Sequence, residues 1–346
     1  MIETVLGPLE PGRVGPVSMH EHLLSDASGL GIPESADVPE RDVVLEDTGL
    51  AVAELERANS AWRSSSPNWI GSESGDEDRL PVVVDPTVWG FGGPAAGLTE
   101  VSRRSGVAIV AGVGAYVPRT RPEWLTALDE DALAEKFRSA LLDHLPGCDF
   151  RAGIVGMLAP GLPLEPTLCP LSPTGLQRTE GWERALLRAG ARVAAETGSA
   201  AIVRLDPRRR DGLELLEVMT DVGLAPERVV FSNIDGYARD LGALRELADA
   251  GATLKWCFGY EAPPRPGLAT ATDAERADAL AALLAEGHRR QVLACGIWTK
   301  AALHEYGGWG YDHLPTTVLP MLRARGLGDA DLHALLRTEP LHLLDR

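Results

Sequence analysis

The sequence of 346 residues lacks the apolar run of about 20 residues that a membrane-spanning helix needs. Its four cysteines, at positions 148, 169, 257 and 295, are widely spaced and form no Cys-x-x-Cys pair, so a disulfide scaffold has no support. No GxGxxG or GxxxxGK[ST] motif follows an apolar run, and no GxSxG motif marks a serine nucleophile. These absences give no support to nucleotide binding or to serine-hydrolase chemistry.

Lysine is also scarce, since only Lys136, Lys255 and Lys300 occur among 33 basic residues, against 50 acidic residues. The net charge of −17 creates a field that repels phosphate backbones and anionic lipids. We therefore expect neither a nucleic-acid partner nor a membrane surface. The N-terminus has no basic segment followed by an apolar stretch, which predicts a cytoplasmic protein.

Short apolar runs alternate with longer amphipathic segments along the whole chain. The runs are rich in Val, Ile and Ala with little polar alternation, which is typical of strands buried on both faces of a parallel sheet. Strands followed by helices indicate a β/α architecture. The predicted strands are Gly15 to His20, Pro81 to Asp85, Val107 to Val113, Ala152 to Met157, Ala200 to Arg204, Arg228 to Ser232, Ala252 to Trp256 and Gln291 to Cys295.

Eight such units predict an α/β fold of the (β/α)₈ TIM-barrel type, which typically needs about 250 residues. The residues beyond that number lie in two insertions, after strands 1 and 4, at Asp26 to Arg79 and Ala159 to Pro173. We expect one domain over residues 1–346, because no linker divides the chain. An open doubly wound sheet is the alternative.

Met19-His20-Glu21-His22 ends the first predicted strand. Residues two apart on a strand point to the same side, so His20 and His22 can share one metal ion. Two hydrogen-bonded structural histidines would give the same pattern.

The chain resembles the phosphotriesterase family of the amidohydrolase superfamily over nearly its whole length. The most specific pieces are the start, TVLGPLEPGRVGPVSMHEHLL, and the later segment YGGWGYDHL. The resemblance implies a (β/α)₈ barrel with two divalent metals at the C-terminal ends of the strands. A metal-bridging hydroxide then attacks phosphoesters, lactones or related esters.

Most of the metal ligands that the resemblance implies are replaced. The His-x-His pair is present as His20 and His22. The remaining ligand positions fall on Gly156 or Met157, Arg204, Asn233 and Gly296. Glycine supplies no ligand, and Arg204 is a permanent cation. The sequence therefore predicts a degenerate metal site and no resident cofactor. At most one zinc would bind to His20 and His22, with a third ligand from Cys257, Cys295 or Asp235.

Charged and polar residues cluster at or just past the predicted strand ends, which favours a polar pocket that still binds a ligand. Arg204 and Lys255 could hold a carboxylate or phosphate, and carboxylates or histidines could act as general acid or base. The candidate catalytic residues are His20, His22, Arg204, Asn233, Asp235 and Lys255. The candidate substrate-binding residues are Asp85, Asp206, Tyr260 and Trp298.

Three functions remain open from the sequence. The first is an enzyme that acts on a small molecule, in particular an anionic one, by hydrolase-like or other acid–base chemistry without the binuclear centre. The second is a mononuclear zinc hydrolase that uses His20 and His22. The third is a non-catalytic barrel that binds a ligand or partner. The resemblance also makes a homodimer the expected assembly.

Overall fold

The computed structural model describes most of the chain, with gaps that fall mainly between strands and the helices that follow them. The described residues are 1–30, 40–65, 79–93, 95–161, 181–206, 209–259 and 271–346.

The central sheet has eight parallel strands in sequential order. Their side chains are almost all buried, as expected for strands such as Leu80–Asp85 that read as continuous Val-rich runs. The strands are β1 (Val14–Ser18), β2 (Leu80–Asp85), β3 (Ala108–Ala115), β4 (Ile154–Leu158), β5 (Ala201–Arg204), β6 (Val229–Ser232), β7 (Thr253–Cys257) and β8 (Gln291–Ala294).

The two ends of the sheet meet at a seam between β1 and β8. The Met19 amide donates to the Leu293 carbonyl at 2.9 Å, and the His22 amide donates to the Ile297 carbonyl at 2.9 Å. These bonds bring the first and last strands together, and the architecture is a (β/α)₈ barrel. The fold predicted from the sequence is confirmed.

Helices cover the outside of the barrel. They are α1 (Thr48–Ser65), α2 (Leu98–Ser105), α3 (Glu123–Thr126), α4 (Glu130–Leu142), α5 (Trp182–Thr197), α6 (Gly212–Thr220), α7 (Leu241–Asp249), α8 (Asp273–Ala285), α9 (Leu319–Arg323), α10 (Asp329–His333) and α11 (Glu339–Leu344). Single π-helical turns at Leu314–Val318 and Ala334–Thr338 precede α9 and α11. No helix among the described ranges is long and apolar enough to cross a membrane.

Local sequence signals fix several helix ends. Thr272 and Glu275 form a capping box at the start of α8, with the Glu275 amide donating to Thr272 Oγ1 at 3.2 Å. Gly198 ends α5 in the left-handed conformation, at φ 70°. α1 begins at Thr48, after Val44–Leu45, which pairs with Ser25–Asp26 in a short antiparallel ladder.

Every predicted strand is present, and its ends lie within two residues of the prediction. The first insertion contains α1. The second insertion is described only as far as Gly161, so most of it lies outside the described residues.

Candidate active site

The two histidines of the His-x-His pair lie just past the end of β1, with their rings edge to face. His20 Nε2 and His22 Nε2 are 3.0 Å apart, within hydrogen-bond distance. Both side chains are buried. Burial lowers the pKa of His22 to about 3, and burial with the neighbouring Lys255 charge lowers the pKa of His20 well below its ordinary value. Both rings are therefore neutral at neutral pH.

Lys255 hydrogen bonds to the first of these histidines, through Nζ and His20 Nδ1. The sequence placed Lys255 at or just past the end of a strand, as a candidate catalytic residue, and that role stays a prediction. Lys255 is the middle residue of β7, is fully buried and points into the barrel interior, because strand alternation sends Trp256 to the other side. Burial lowers the pKa of Lys255 to about 8, so its amine is still mostly charged at pH 7.

Asp85 and Thr87 complete the polar surroundings of His22. His22 Nδ1 lies 2.8 Å from Thr87 Oγ1, and Thr87 Oγ1 in turn donates to Asp85. The Asp85 carboxylate also accepts the amides of Thr87 at 2.9 Å and Leu23 at 3.2 Å. Burial raises the pKa of Asp85 to about 6. Sequence reasoning missed Thr87, although Asp-x-Thr after a strand is a local turn signal.

Arg204 and Asn233 lie at the neighbouring ends of β5 and β6. Arg204 is partly exposed, and its positive charge contributes to the lowered pKa of His20. Asn233 has a left-handed backbone, at φ 64°, and its Oδ1 accepts a hydrogen bond from Ser232 Oγ at 3.1 Å. The amide N–H groups of Asn233 are therefore directed away from Ser232.

Asp235 lies between two buried cations. Its Oδ1 accepts the Cys257 amide at 2.9 Å and is 3.6 Å from Nε of the fully buried Arg276, on α8. Burial raises the pKa of Asp235, while the charges of Arg276 and Lys255 oppose that rise. Arg276 also donates to Asp273 at 2.5 Å. The sequence offered no signal for Arg276, which reads as an ordinary helical residue.

Asp206, Trp298 and Tyr260 were also predicted to bind substrate. Asp206 is buried, and its backbone carbonyl accepts the Tyr237 hydroxyl at 2.9 Å. Trp298 is partly buried and packs against an apolar cluster around Met19 and Phe91. Tyr260 lies outside the described residues.

The described residues do not fit a binuclear metal centre. Gly156 has φ +117°, and a Cβ there would lie 2.7 Å from the Ile202 carbonyl oxygen, so the backbone leaves no room for a bridging side chain. Gly296 has φ +67°, and its Cβ would lie 3.1 Å from Cys257 Sγ. Within the described ranges, no three His, Cys, Asp or Glu side chains gather in a metal-binding group.

Residues 1–344 match the family model described as the phosphotriesterase family. The chain belongs to the phosphotriesterase family. A relative from Danio rerio, named N-acetyltaurine hydrolase, is 25% identical over 98% of this chain and 96% of its own length.

Solved structures of this family share the barrel. A resiniferatoxin-binding protein from Rhodobacter sphaeroides superimposes with a TM-score of 0.84, at 26% identity, over 99% of this chain and 94% of that one. A mutant phosphotriesterase-like lactonase from Deinococcus radiodurans superimposes with a TM-score of 0.74, at 25% identity, over 99% and 100% of the two chains. This phosphotriesterase-family protein therefore keeps the common fold.

Proposed function

We propose that this protein is a hydrolase-like enzyme that acts on a small anionic substrate without a binuclear metal centre. The observation that carries the proposal is Arg204. Its guanidinium lies at the end of a barrel strand, is partly exposed, and makes no hydrogen bond or ion pair within the described part of the chain. A guanidinium so placed suits a carboxylate, sulfonate or phosphate group.

The neighbouring groups suit the chemistry of an acyl or ester bond. The free N–H groups of Asn233 can donate to an oxygen on which negative charge develops. Asp235 is partly exposed and has a raised pKa, which suits proton transfer from water. Lys255, His20 and His22 lie behind these residues as the buried polar support of the pocket.

The relatives support the hydrolytic class. The Danio rerio relative is named for hydrolysis of N-acetyltaurine, which combines an amide bond with a sulfonate, and the Deinococcus radiodurans relative is named a lactonase. An N-acylated amine that carries an acid group is thus the first substrate class to test.

The experiment compares turnover of N-acetyltaurine with turnover of a neutral N-acetylalkylamine, each with and without a chelator. We expect chelator-insensitive turnover of the anionic amide. Arg204→Ala should raise KM for the anionic substrate about tenfold or more, since a charge-assisted hydrogen bond contributes roughly 1.5–3 kcal/mol. Arg119→Ala, at an exposed arginine, is the matched control and should change nothing.

Turnover that a chelator abolishes would contradict the proposal and support the alternative of a single zinc on His20 and His22. Unchanged kinetics in Arg204→Ala would remove the proposed anion site. The resiniferatoxin-binding relative favours a second candidate, a barrel that binds a small molecule without turning it over. Binding of the anionic amide with no turnover would support that candidate. The homodimer stays a prediction, to be checked by light scattering.

A further inference from the structure

Five side chains, carried by β7, the segment after β1, and the end of β2 with its following loop, are hydrogen bonded in series. We call them the Lys255–Asp85 chain. Lys255 Nζ contacts His20 Nδ1, His20 Nε2 lies 3.0 Å from His22 Nε2, and His22 Nδ1 lies 2.8 Å from Thr87 Oγ1. Thr87 Oγ1 then contacts Asp85 Oδ1. Four of the five side chains are buried, and Thr87 is partly buried.

The direction of every hydrogen bond in the Lys255–Asp85 chain follows from the Lys255 ammonium. An ammonium group has only donors, so His20 Nδ1 must accept. A neutral imidazole has one donor and one acceptor, so His20 Nε2–H donates to His22 Nε2, and His22 Nδ1–H donates to Thr87 Oγ1. The Thr87 hydroxyl is then free to donate to the Asp85 carboxylate, which only accepts. No donor faces another donor.

The Lys255–Asp85 chain has an ammonium group at one end and a carboxylate at the other. Burial of either charge alone would cost free energy, and the opposite charges offset this cost. Asp85 is further held by the amides of Thr87 and Leu23.

This arrangement competes with metal binding. If both Nε2 atoms bound one cation, each imidazole would carry its proton on Nδ1 instead. His20 Nδ1–H would then point at the N–H groups of Lys255. The observed contact between Lys255 and His20 Nδ1 is therefore incompatible with a cation shared by the two histidines while Lys255 is charged.

We propose that the Lys255 ammonium replaces a bound metal as the cation that orders the histidine pair, and that Thr87 is the positioning residue that connects the pair to Asp85. This inference rests on the proposed function, because it explains how the pocket stays ordered without a binuclear centre. It assigns His20 the Nε2–H tautomer and His22 the Nδ1–H tautomer.

The test is nitrogen NMR of protein labelled with ¹⁵N-histidine, at pH 7 after treatment with a chelator. The chain has eight histidines, and single substitutions of the others assign the spectrum. We expect the two assigned tautomers in the wild type, and no change at either Nε2 when Zn²⁺ is added. Lys255→Met removes the donor to His20 Nδ1 and should mix the tautomers of both histidines. Thr87→Val removes the acceptor of His22 Nδ1–H and should shift the signal of that nitrogen, whereas Thr87→Ser should restore the wild-type signal.

Protons on Nδ1 of both histidines, or a zinc-induced shift of both Nε2 signals, would overturn the inference. So would a Thr87→Val spectrum identical to that of the wild type. These outcomes are distinguishable from failure of the proposed function. The assigned tautomers in a protein without turnover would refute the proposed function alone. Two Nδ1–H tautomers with chelator-insensitive turnover would refute this inference alone.

Discussion

Glu21 shows how a single residue closes the barrel. It lies between the two histidines in sequence, but its side chain points away from them. Its Oε1 accepts the Ser18 hydroxyl at 2.6 Å and the Cys295 amide at 2.7 Å, and its Oε2 accepts the Ile297 amide at 3.1 Å. Burial raises the pKa of Glu21 to about 7, against these hydrogen bonds. Glu21 is thus a structural acceptor at the seam between β1 and β8.

Glu21→Gln should therefore destabilise the barrel. The amide nitrogen of glutamine would face one of the backbone N–H groups that the carboxylate now accepts, leaving a buried donor unsatisfied. We expect a loss of about 1–3 kcal/mol in the free energy of unfolding, measured by urea denaturation at pH 8. Glu56→Gln, at an exposed position on α1, is the control. Equal stability of the two variants would show that Glu21 does not hold the seam.

Lys255 should make stability depend on pH in a defined window. Its pKa falls from 10.5 to about 8 on folding, chiefly through burial. Below about pH 8 the amine is charged in both states, and the cost of burying it is fully present. Between about pH 8 and 10.5 the folded state has released a proton that the unfolded chain keeps, so stability rises with pH.

The free energy of unfolding of the wild type, relative to Lys255→Met, should therefore increase across that window by up to roughly 3 kcal/mol. Urea denaturation at several pH values measures it. The exposed Lys136→Met variant should give a flat difference. A flat difference, or one that falls as the pH rises, would mean that folding does not lower the pKa of Lys255.

At the scale of elements, the sequence was sufficient for the strands, because buried parallel strands have a local signature. It was not sufficient for contacts between elements. Thr87, on the loop after β2, meets a histidine that follows β1, and Lys255 reaches the same histidine pair from β7. The resemblance predicted which ligand positions are replaced. It could not show that Lys255 would contact His20.

Arg121 connects three elements on one side of the barrel. Its guanidinium binds both carboxylate oxygens of Glu183 on α5, at 2.6 and 2.9 Å. It also donates to the Tyr116 carbonyl at 2.6 Å, after β3, and to the Ala159 carbonyl at 2.9 Å, after β4. The Arg121 side chain is 1% exposed, so this ion pair is protected from solvent.

Arg121→Lys should destabilise the protein by about 1–3 kcal/mol, because one ammonium cannot reproduce a bidentate pair together with two carbonyl contacts. Thermal or urea unfolding measures the loss. Arg119→Lys, two residues away and exposed, should be neutral. Similar stability for both variants would show that charge alone, without the planar guanidinium, is enough at position 121.

At the scale of the whole molecule, the barrel superimposes on solved structures of similar proteins. The fold follows from continuous apolar strands, while the proposed site depends on a few polar residues at or near their C-terminal ends. Gly156 and Gly296 leave two ligand positions without a side chain, and Arg204 and Lys255 place positive charge near the remaining histidines. We infer that positively charged side chains replace the metal pair.

The most direct test is anomalous diffraction at the zinc absorption edge from crystals grown with excess zinc. Our account predicts no pair of anomalous peaks beside His20 and His22, with the Lys255 amine in contact with His20. Two neighbouring peaks at that place would contradict it.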